Sequence, residues 1–179
     1  MLGKQNIYLI GPMGSGKSAV GRQLARKLEL DFFDSDVEIE SRTGVDIPYI
    51  FEKEGEAGFR VRESQMIAEF SKLDKVVVAT GGGAVLDPGN RAKLAASGIV
   101  VFLRASIDAQ LKRTGKMNTR PLLMTDNPRK ILEELMLTRK PLYEEIADIS
   151  IETTGRRVDT VAKDIEKLVR EHPSVPLQK

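Results

Sequence analysis

The sequence has no cysteine, a single histidine, few aromatic residues and almost no surplus of charge of either sign. Without cysteine there is no disulfide, no thiolate nucleophile and no cysteine-ligated metal, which fits a reducing compartment. The one histidine, His172, sits in the proline-containing tail "HPSVPLQK" and reads as a surface residue, not a catalytic one. Lysine and arginine number 28 against 26 aspartates and glutamates, a formal charge of +2, so the basic excess that holds a protein on nucleic acid is missing. Aromatic residues make up 5% and form no stacking cluster, which argues against single-strand binding too. No apolar run approaches membrane-spanning length, and the early run "IYLI" is too short for a signal-peptide core, so a cytoplasmic protein is expected. Internal repeats and low-complexity segments are absent as well.

What is present is an alternation of short apolar runs with amphipathic stretches, in a chain whose 179 residues suit one domain with a real core. "NIYLI", "VVVAT", "GIVVFL" and "DISIE" are short, β-branched and apolar on both faces, the pattern of buried parallel strands, and "LDFFDSD" reads as a shorter strand ending in acids. Between them, residues 17–28, 56–73, 88–97, 107–114, 128–146 and 158–171 carry apolar residues at helical spacing. Repeated βα units with right-handed crossovers predict a doubly wound parallel sheet, whose ligands bind beyond the carboxyl ends of the strands.

"GPMGSGKS", residues 11–18, follows the first strand and opens the first helix. Gly11, Gly14 and Gly16 let main-chain N–H groups turn onto phosphate oxygens, Lys17 reaches the β- and γ-phosphates, and Ser18 offers a hydroxyl to Mg²⁺. The loop alone does not separate a kinase from a GTPase-type hydrolase. No N-K-x-D stretch is present to read guanine, and "VVVAT" lacks the aspartate that commonly closes a magnesium-site strand, so the acid must come from elsewhere. Asp34 and Asp36, two apart in extended chain, point the same way and are candidates, although a D-x-D taken alone also reads as a helix cap. "TGGGAV" spends three glycines directly after a strand, which makes sense where something approaches the main chain closely. Arg60 and Arg139 lie on predicted helices, where either alone reads more readily as a solvated charge than as a ligand contact. "RTGKMNTRPLLMTDNPRK" breaks the helical pattern and concentrates arginine and lysine; it is a basic flap or a solvated surface loop.

The ordered set "GPMGSGKS", "DSD", "GFRVRE", "TGGGAV", "RPLL" and "RKPLYEEIAD", from about residue 6 to residue 150, resembles the shikimate kinases, which phosphorylate the 3-hydroxyl of shikimate with MgATP in aromatic amino acid biosynthesis. The resemblance implies an α/β, three-layer P-loop NTPase-type fold with a central parallel sheet of about five strands, flanking helices and a mobile lid. It implies a single domain over residues 1–171, a lid at about 112–125, acceptor-binding helices at about 34–63, and a flexible tail at 172–179. By position, Gly14, Ser15, Gly16, Lys17, Ser18 and Ala19 would hold ATP, with Ser18, a threonine in many members, and Asp34 as the Mg²⁺ residues. Asp36 would hydrogen-bond the acceptor hydroxyls as the candidate base. Arg60 and Arg139 would grip the shikimate carboxylate, and Gly81, Gly82 and Gly83 would meet the acceptor through the backbone. Arg120 would close on the transferring phosphate, Arg113 would stack on adenine, and Arg156 would add a second adenine contact in "ETTGRR", where the chain departs most from the family. Lys17, Asp36 and Arg120 are thus the expected catalytic residues. The implied partners are ATP and shikimate, handled by a monomer.

Physical chemistry supports this division of labour. A guanidinium fork gives a carboxylate two parallel charge-assisted hydrogen bonds, and two forks fix the orientation of a small ring. Another small-molecule P-loop kinase, such as a gluconate kinase, would share the first motif, but a neutral acceptor gives Arg60 and Arg139 no reason to converge. A nucleoside monophosphate kinase would need a larger basic site. An ATP-binding regulatory module without turnover has no use for intact Lys17, Ser18, Asp34, Asp36 and Arg120.

Overall fold

A computed structural model of the chain describes residues 6–115 and 121–174. Among them five strands, β1 (Asn6–Ile10), β2 (Asp31–Asp34), β3 (Val76–Ala79), β4 (Gly98–Arg104) and β5 (Ile149–Glu152), pair in parallel in the order β2-β3-β1-β4-β5. The helices are α1 (Lys17–Leu28), α2 (Ser35–Thr43), α3 (Ile47–Phe70), α4 (Pro88–Ser97), α5 (Ile107–Thr114), α6 (Pro128–Ile146) and α7 (Val158–Glu171). The expected three-layer α/β architecture with its five-stranded parallel sheet is what forms.

Successive side chains of a strand face opposite sides of a sheet, and here both sides are buried. Ile7 and Leu9 join Val77, Ile99, Val101 and Leu103 on one face, where α1 and α7 cover them with Val20, Leu24, Ala25, Val161, Ile165 and Val169. Tyr8, Ile10, Val78, Val100 and Phe102 face the other side, under Ile67 and Phe70 of α3, Leu94 of α4 and Tyr143 of α6. Gly21 of α1 lets that helix lie close on the sheet, since a β-carbon there would stand 2.5 Å from the Phe32 ring. No helix among the described residues is long and apolar enough to cross a membrane.

The chain departs from the sequence reading around β2. The strand does not run to Asp36: it stops at Asp34, whose carboxylate caps α2 by accepting from the Asp36 N–H at 3.0 Å and the Val37 N–H at 3.3 Å. Capping outcompetes extension here, so Asp34 and Asp36 are not alternate residues of one strand. The helical run expected from Glu56 forms, ending at Phe70, but it is preceded by an unexpected run from Ile47, with Asp46 capping it and Pro48 in its first turn, and the two are joined as α3. It is kinked at Gly55, whose φ of 70° and ψ of −179° break the helical periodicity in mid-element.

The loops after β1 and β3 are neighbours because their strands are. Thr80 fastens one to the other, donating from its N–H at 3.1 Å and its hydroxyl at 2.9 Å to the Leu9 carbonyl. Gly81 N–H then donates to the buried Ser35 hydroxyl at 3.0 Å, which ties the start of α2 to the same place. Since the sheet is the platform for these loops, its packing is testable: Leu24→Ala, at a fully buried position on the α1–α7 side, is expected to lose about 2–5 kcal/mol in urea unfolding.

Candidate active site

Between β1 and α1 the chain takes positive φ at Gly11 (145°), Gly14 (75°) and Gly16 (90°), a backbone path that side chains disfavour. Space is also short: a β-carbon at Gly11 would stand 2.5 Å from the Leu103 carbonyl oxygen, and one at Gly14 would stand 3.0 Å from the Gln110 backbone. Gly16, which has no side chain to offer as a cap, starts α1, so the first turn and the positive end of the helix dipole stand at the cavity that Gly14, Gly16, Lys17, Ser18 and Ala19 line. Lys17 is buried in the loop, its ammonium donating to the Gly11 and Pro12 carbonyls at 2.8 and 2.9 Å. Ser15 is fully buried, and its hydroxyl has no hydrogen-bond partner among the described residues. The Ser18 hydroxyl donates to Asp34 Oδ2 in a short contact while Oδ1 caps α2, so Asp34 is both a helix cap and a neighbour of the loop hydroxyl. Two hard oxygen donors side by side suit a hard divalent cation that completes its shell with water and phosphate.

On the far side of this cavity Arg113 is fixed by hydrogen bonds to the Gly14 carbonyl (3.0 Å), the Thr153 carbonyl (3.0 Å) and the Thr153 hydroxyl (3.2 Å). Arg156 belongs to the same turn, its N–H also donating to the Thr153 carbonyl, but its guanidinium goes to Asp164 of α7 and to the Glu152 carbonyl. It does not line the cavity of the phosphate loop. Arg22, absent from the sequence reading, does line it, lying over the Phe32 ring at 5.4 Å. Arg120 lies outside the described residues.

A second cavity adjoins the first, and Asp36, Gly81 and Gly82 line both. Its other walls include Arg60 and Glu63 of α3, Arg139 of α6, and apolar Ile47, Phe51 and Phe59. The kink at Gly55 makes this enclosure possible, since Ile47 and Phe51 precede it and Phe59 and Arg60 follow it. Arg60 Nη1 donates to Glu63 at 2.9 Å, while its Nε and Nη2 reach Glu56 on the rim at 3.3 and 2.9 Å. Arg139 is buried in α6 and hydrogen-bonds Tyr143, whose hydroxyl donates to the Gly82 carbonyl at 2.5 Å. Burial pushes the Tyr143 phenol up to about 12, so it remains a donor at any ordinary pH.

The reason for three glycines is visible here. A β-carbon on Gly81 would stand 2.4 Å from Glu63 Oε2, one on Gly82 would stand 3.3 Å from Arg139 Nη1, and one on Gly83 would stand 2.4 Å from both terminal nitrogens of Arg60. None of the three has positive φ, so the requirement is room, not backbone conformation. The close approach expected at "TGGG" is therefore made by the protein's own charged side chains. Glu63 was missed in the sequence, although a signal existed: Phe59, Glu63, Met66, Ile67 and Phe70 are the buried stripe of the second half of α3. An acid in an apolar stripe calls for a partner, and Arg60 stands one turn before it.

A phosphate loop at the end of the central strand of a parallel sheet, opening onto a cavity walled by two arginines, defines a P-loop nucleotide-binding protein built to hold a second small molecule beside the nucleotide. The family model described as Shikimate kinase matches residues 13–170. A shikimate kinase of Vibrio cholerae serotype O1 is 51% identical over 172 residues, which cover 96% of this chain and 99% of that one. The solved structure of a shikimate kinase from Acinetobacter baumannii in complex with shikimate is 48% identical, with a TM-score of 0.91 over 92% of each chain. The chain belongs to the shikimate kinase family. A gluconokinase structure from Sinorhizobium meliloti 1021, 16% identical with a TM-score of 0.61 over 93% of this chain and 92% of that one, shares the fold alone.

The buried acid carries a signed expectation for stability. Burial holds the Glu63 carboxyl above the usual carboxylate range, with the adjacent Arg60 only partly offsetting it. A group raised in the folded state stabilises most below its unfolded pKa, and that contribution is lost as pH climbs through the folded value. Glu63→Gln has no such loss. The difference in unfolding free energy between this variant and the wild type is therefore expected to move in the variant's favour as pH rises from about 4 to about 8 in paired urea titrations.

Proposed function

We propose that the protein transfers the γ-phosphoryl group of ATP to the 3-hydroxyl of shikimate, giving shikimate 3-phosphate and ADP. The observation that carries this reading is the shared wall: Asp36 and the glycine run border the phosphate-loop cavity and the arginine-walled cavity at once. The loop N–H groups and Lys17 take the β- and γ-phosphates, and Lys17 exchanges its carbonyl partners for phosphate oxygens as ATP enters. Ser18 and Asp34 would hold Mg²⁺, which supplies positive charge to the phosphate oxygens when bound. Arg60 and Arg139 hold the shikimate carboxylate, the buried Arg139 fixed by Tyr143 and the largely buried Arg60 reaching from α3. With the ring held at that end, Asp36 accepts the hydrogen bond of one hydroxyl and aligns it towards the nucleotide; such positioning is worth about 7–11 kcal/mol in favourable cases. Because phosphoryl transfer passes through a loose transition state, Asp36 acts chiefly by orienting and receives the proton late.

Arg113 and the Thr153 turn form the adenine side of this reading, with Arg156 as an outer contact. The lid at 112–125 borders both cavities through its described ends, Arg113 and Thr114 on the nucleotide side and Pro121 and Leu122 on the acceptor side. Its closure would exclude water, the competing nucleophile, and bring Arg120 to the transferring group. The same reading has the protein working as a cytoplasmic monomer.

A coupled ADP-release assay with shikimate, with gluconate and with neither tests the proposal. Gluconate carries a carboxylate and is not the neutral acceptor weighed from the sequence, so the arginine pair does not exclude it by charge; the test is of ring shape and hydroxyl placement. Shikimate-dependent ADP release is expected, and release unchanged by shikimate, or driven by gluconate instead, overturns the reading. Arg60→Ala is expected to raise KM for shikimate by about 10–100-fold with a smaller effect on KM for ATP, the loss of a charge-assisted hydrogen-bond pair. Lys17→Met is expected to lower kcat by at least about 10²-fold, since its charge counts most as charge develops on the γ-phosphoryl oxygens.

A further inference from the structure

Glu63 has no task in the reaction as derived, yet it is an almost fully buried acid in the wall of the acceptor cavity. Its Oε1 accepts from Arg60 Nη1 at 2.9 Å. Its Oε2 has no hydrogen-bond partner among the described residues and crowds the Gly81 backbone, within 2.4 Å of where a β-carbon would be. Among the described residues, the charged and titratable groups facing it are Arg60 and the rim acid Glu56 on its own helix, Asp36 on α2, and Arg139 and Tyr143 on α6.

A ligand carboxylate entering this cavity adds an anion to a space that already holds Asp36 and Glu63, between apolar walls. It also competes for the Arg60 nitrogens now bonded to Glu63 and Glu56. Glu56 on the rim can turn to water, but Glu63 cannot. A buried carboxylate that loses the one donor it has among the described residues does not stay charged at reasonable cost. We propose that Glu63 takes up a proton when the acceptor acid binds, so that Arg60 passes from Glu63 to the ligand carboxylate and the cavity never holds an extra unpaired anion. The inference rests on the reading of this cavity as the shikimate site.

Glu63 is thereby a positioning residue: charged, it parks the Arg60 guanidinium against Gly83 in the empty site; neutral, it lets that guanidinium go. Once protonated it has a donor of its own as well as an acceptor. Burial already holds its carboxyl above the usual range, and an incoming anion pushes it further the same way. Acceptor binding therefore weakens as pH rises, by up to about tenfold in Kd per pH unit where a whole proton is taken up. The other acid of this cavity is Asp36, which Glu63→Gln leaves in place; beyond it the chain has no cysteine, its one histidine is His172 in the tail, and burial pushes the Tyr143 phenol up to about 12.

The test is calorimetry of shikimate binding to the intact protein near neutral pH in buffers of different ionisation enthalpy. Net proton uptake is expected for the wild type and none for Glu63→Gln, with the pH dependence of Kd flattened in the variant. Heat independent of buffer in the wild type, or the same uptake retained by Glu63→Gln, overturns the proposal. Should the variant not fold, the infrared difference spectrum of the wild type decides: a protonated carboxyl C=O band is expected to appear on adding shikimate, and its absence overturns the proposal. Shikimate that does not bind at all brings down the functional reading and this inference with it, whereas binding without proton uptake brings down this inference alone.

Discussion

The acceptor half of the site depends on the room left by three missing β-carbons. Gly81, Gly82 and Gly83 form a bare strip of main chain against which Glu63, Arg139 and Arg60 lie in that order. Any side chain on the strip would push one of these groups out of the cavity wall. Because the strip follows β3, and Thr80 at its head is bonded to the end of β1, the charges it admits are set at a fixed distance from the phosphate loop. Gly82 is the point of closest approach, with the Met13 N–H and the Gly11 carbonyl both within 3.5 Å of where its β-carbon would be. The strip serves as floor for one cavity and as back wall for the other.

Such a strip brings buried charge together, and buried charge is costly unless it is paired. The site meets this by near-balance. Two guanidinium groups, Arg60 and Arg139, face two carboxylates, Asp36 and Glu63, and Tyr143 bonds both to Arg139 and to the strip. The net charge of the whole chain is equally close to zero, so the attraction for anionic ligands is local. Among the described residues it resides in the loop N–H groups, Lys17, and the arginines that line the two cavities, of which Arg60, Arg113 and Arg139 are held by neighbours before a ligand arrives, and preorganisation of this kind is what makes such groups effective.

The phosphate loop and the sheet were legible in the sequence for the same reason: each is specified by consecutive residues. Eight residues encode the loop, and parallel strands buried on both faces appear as short apolar runs. Misreading began where two local preferences compete. "DFFDSD" satisfies a strand and a helix cap together, and the cap at Asp34 won from the fourth residue on. The start of α3 was hidden because Gly55 interrupts the helical period and "IPYIFEKE" looks like a separate short segment. Arg60 and Arg139 were recognised through the family pattern, since a single arginine on a helix carries no sign of what it faces. Glu63 belongs to no motif that the sequence displays, and its place in the apolar stripe of α3 is the one sign it gives.

Asp34 shows how closely fold and chemistry are joined here. One of its oxygens starts α2 by bonding Asp36 N–H and Val37 N–H, and the other bonds the Ser18 hydroxyl at the first turn of α1. The same carboxylate thus sets the direction of the helix that carries Asp36 and stands beside the phosphate loop. A displacement of Asp34 would move a candidate metal residue and Asp36, the acid proposed to orient the acceptor, together, so the distance between nucleotide and acceptor cannot drift independently on the two sides. In-line transfer tolerates little error in that distance. A capping bond that elsewhere only begins a helix here fixes the spacing of the two cavities.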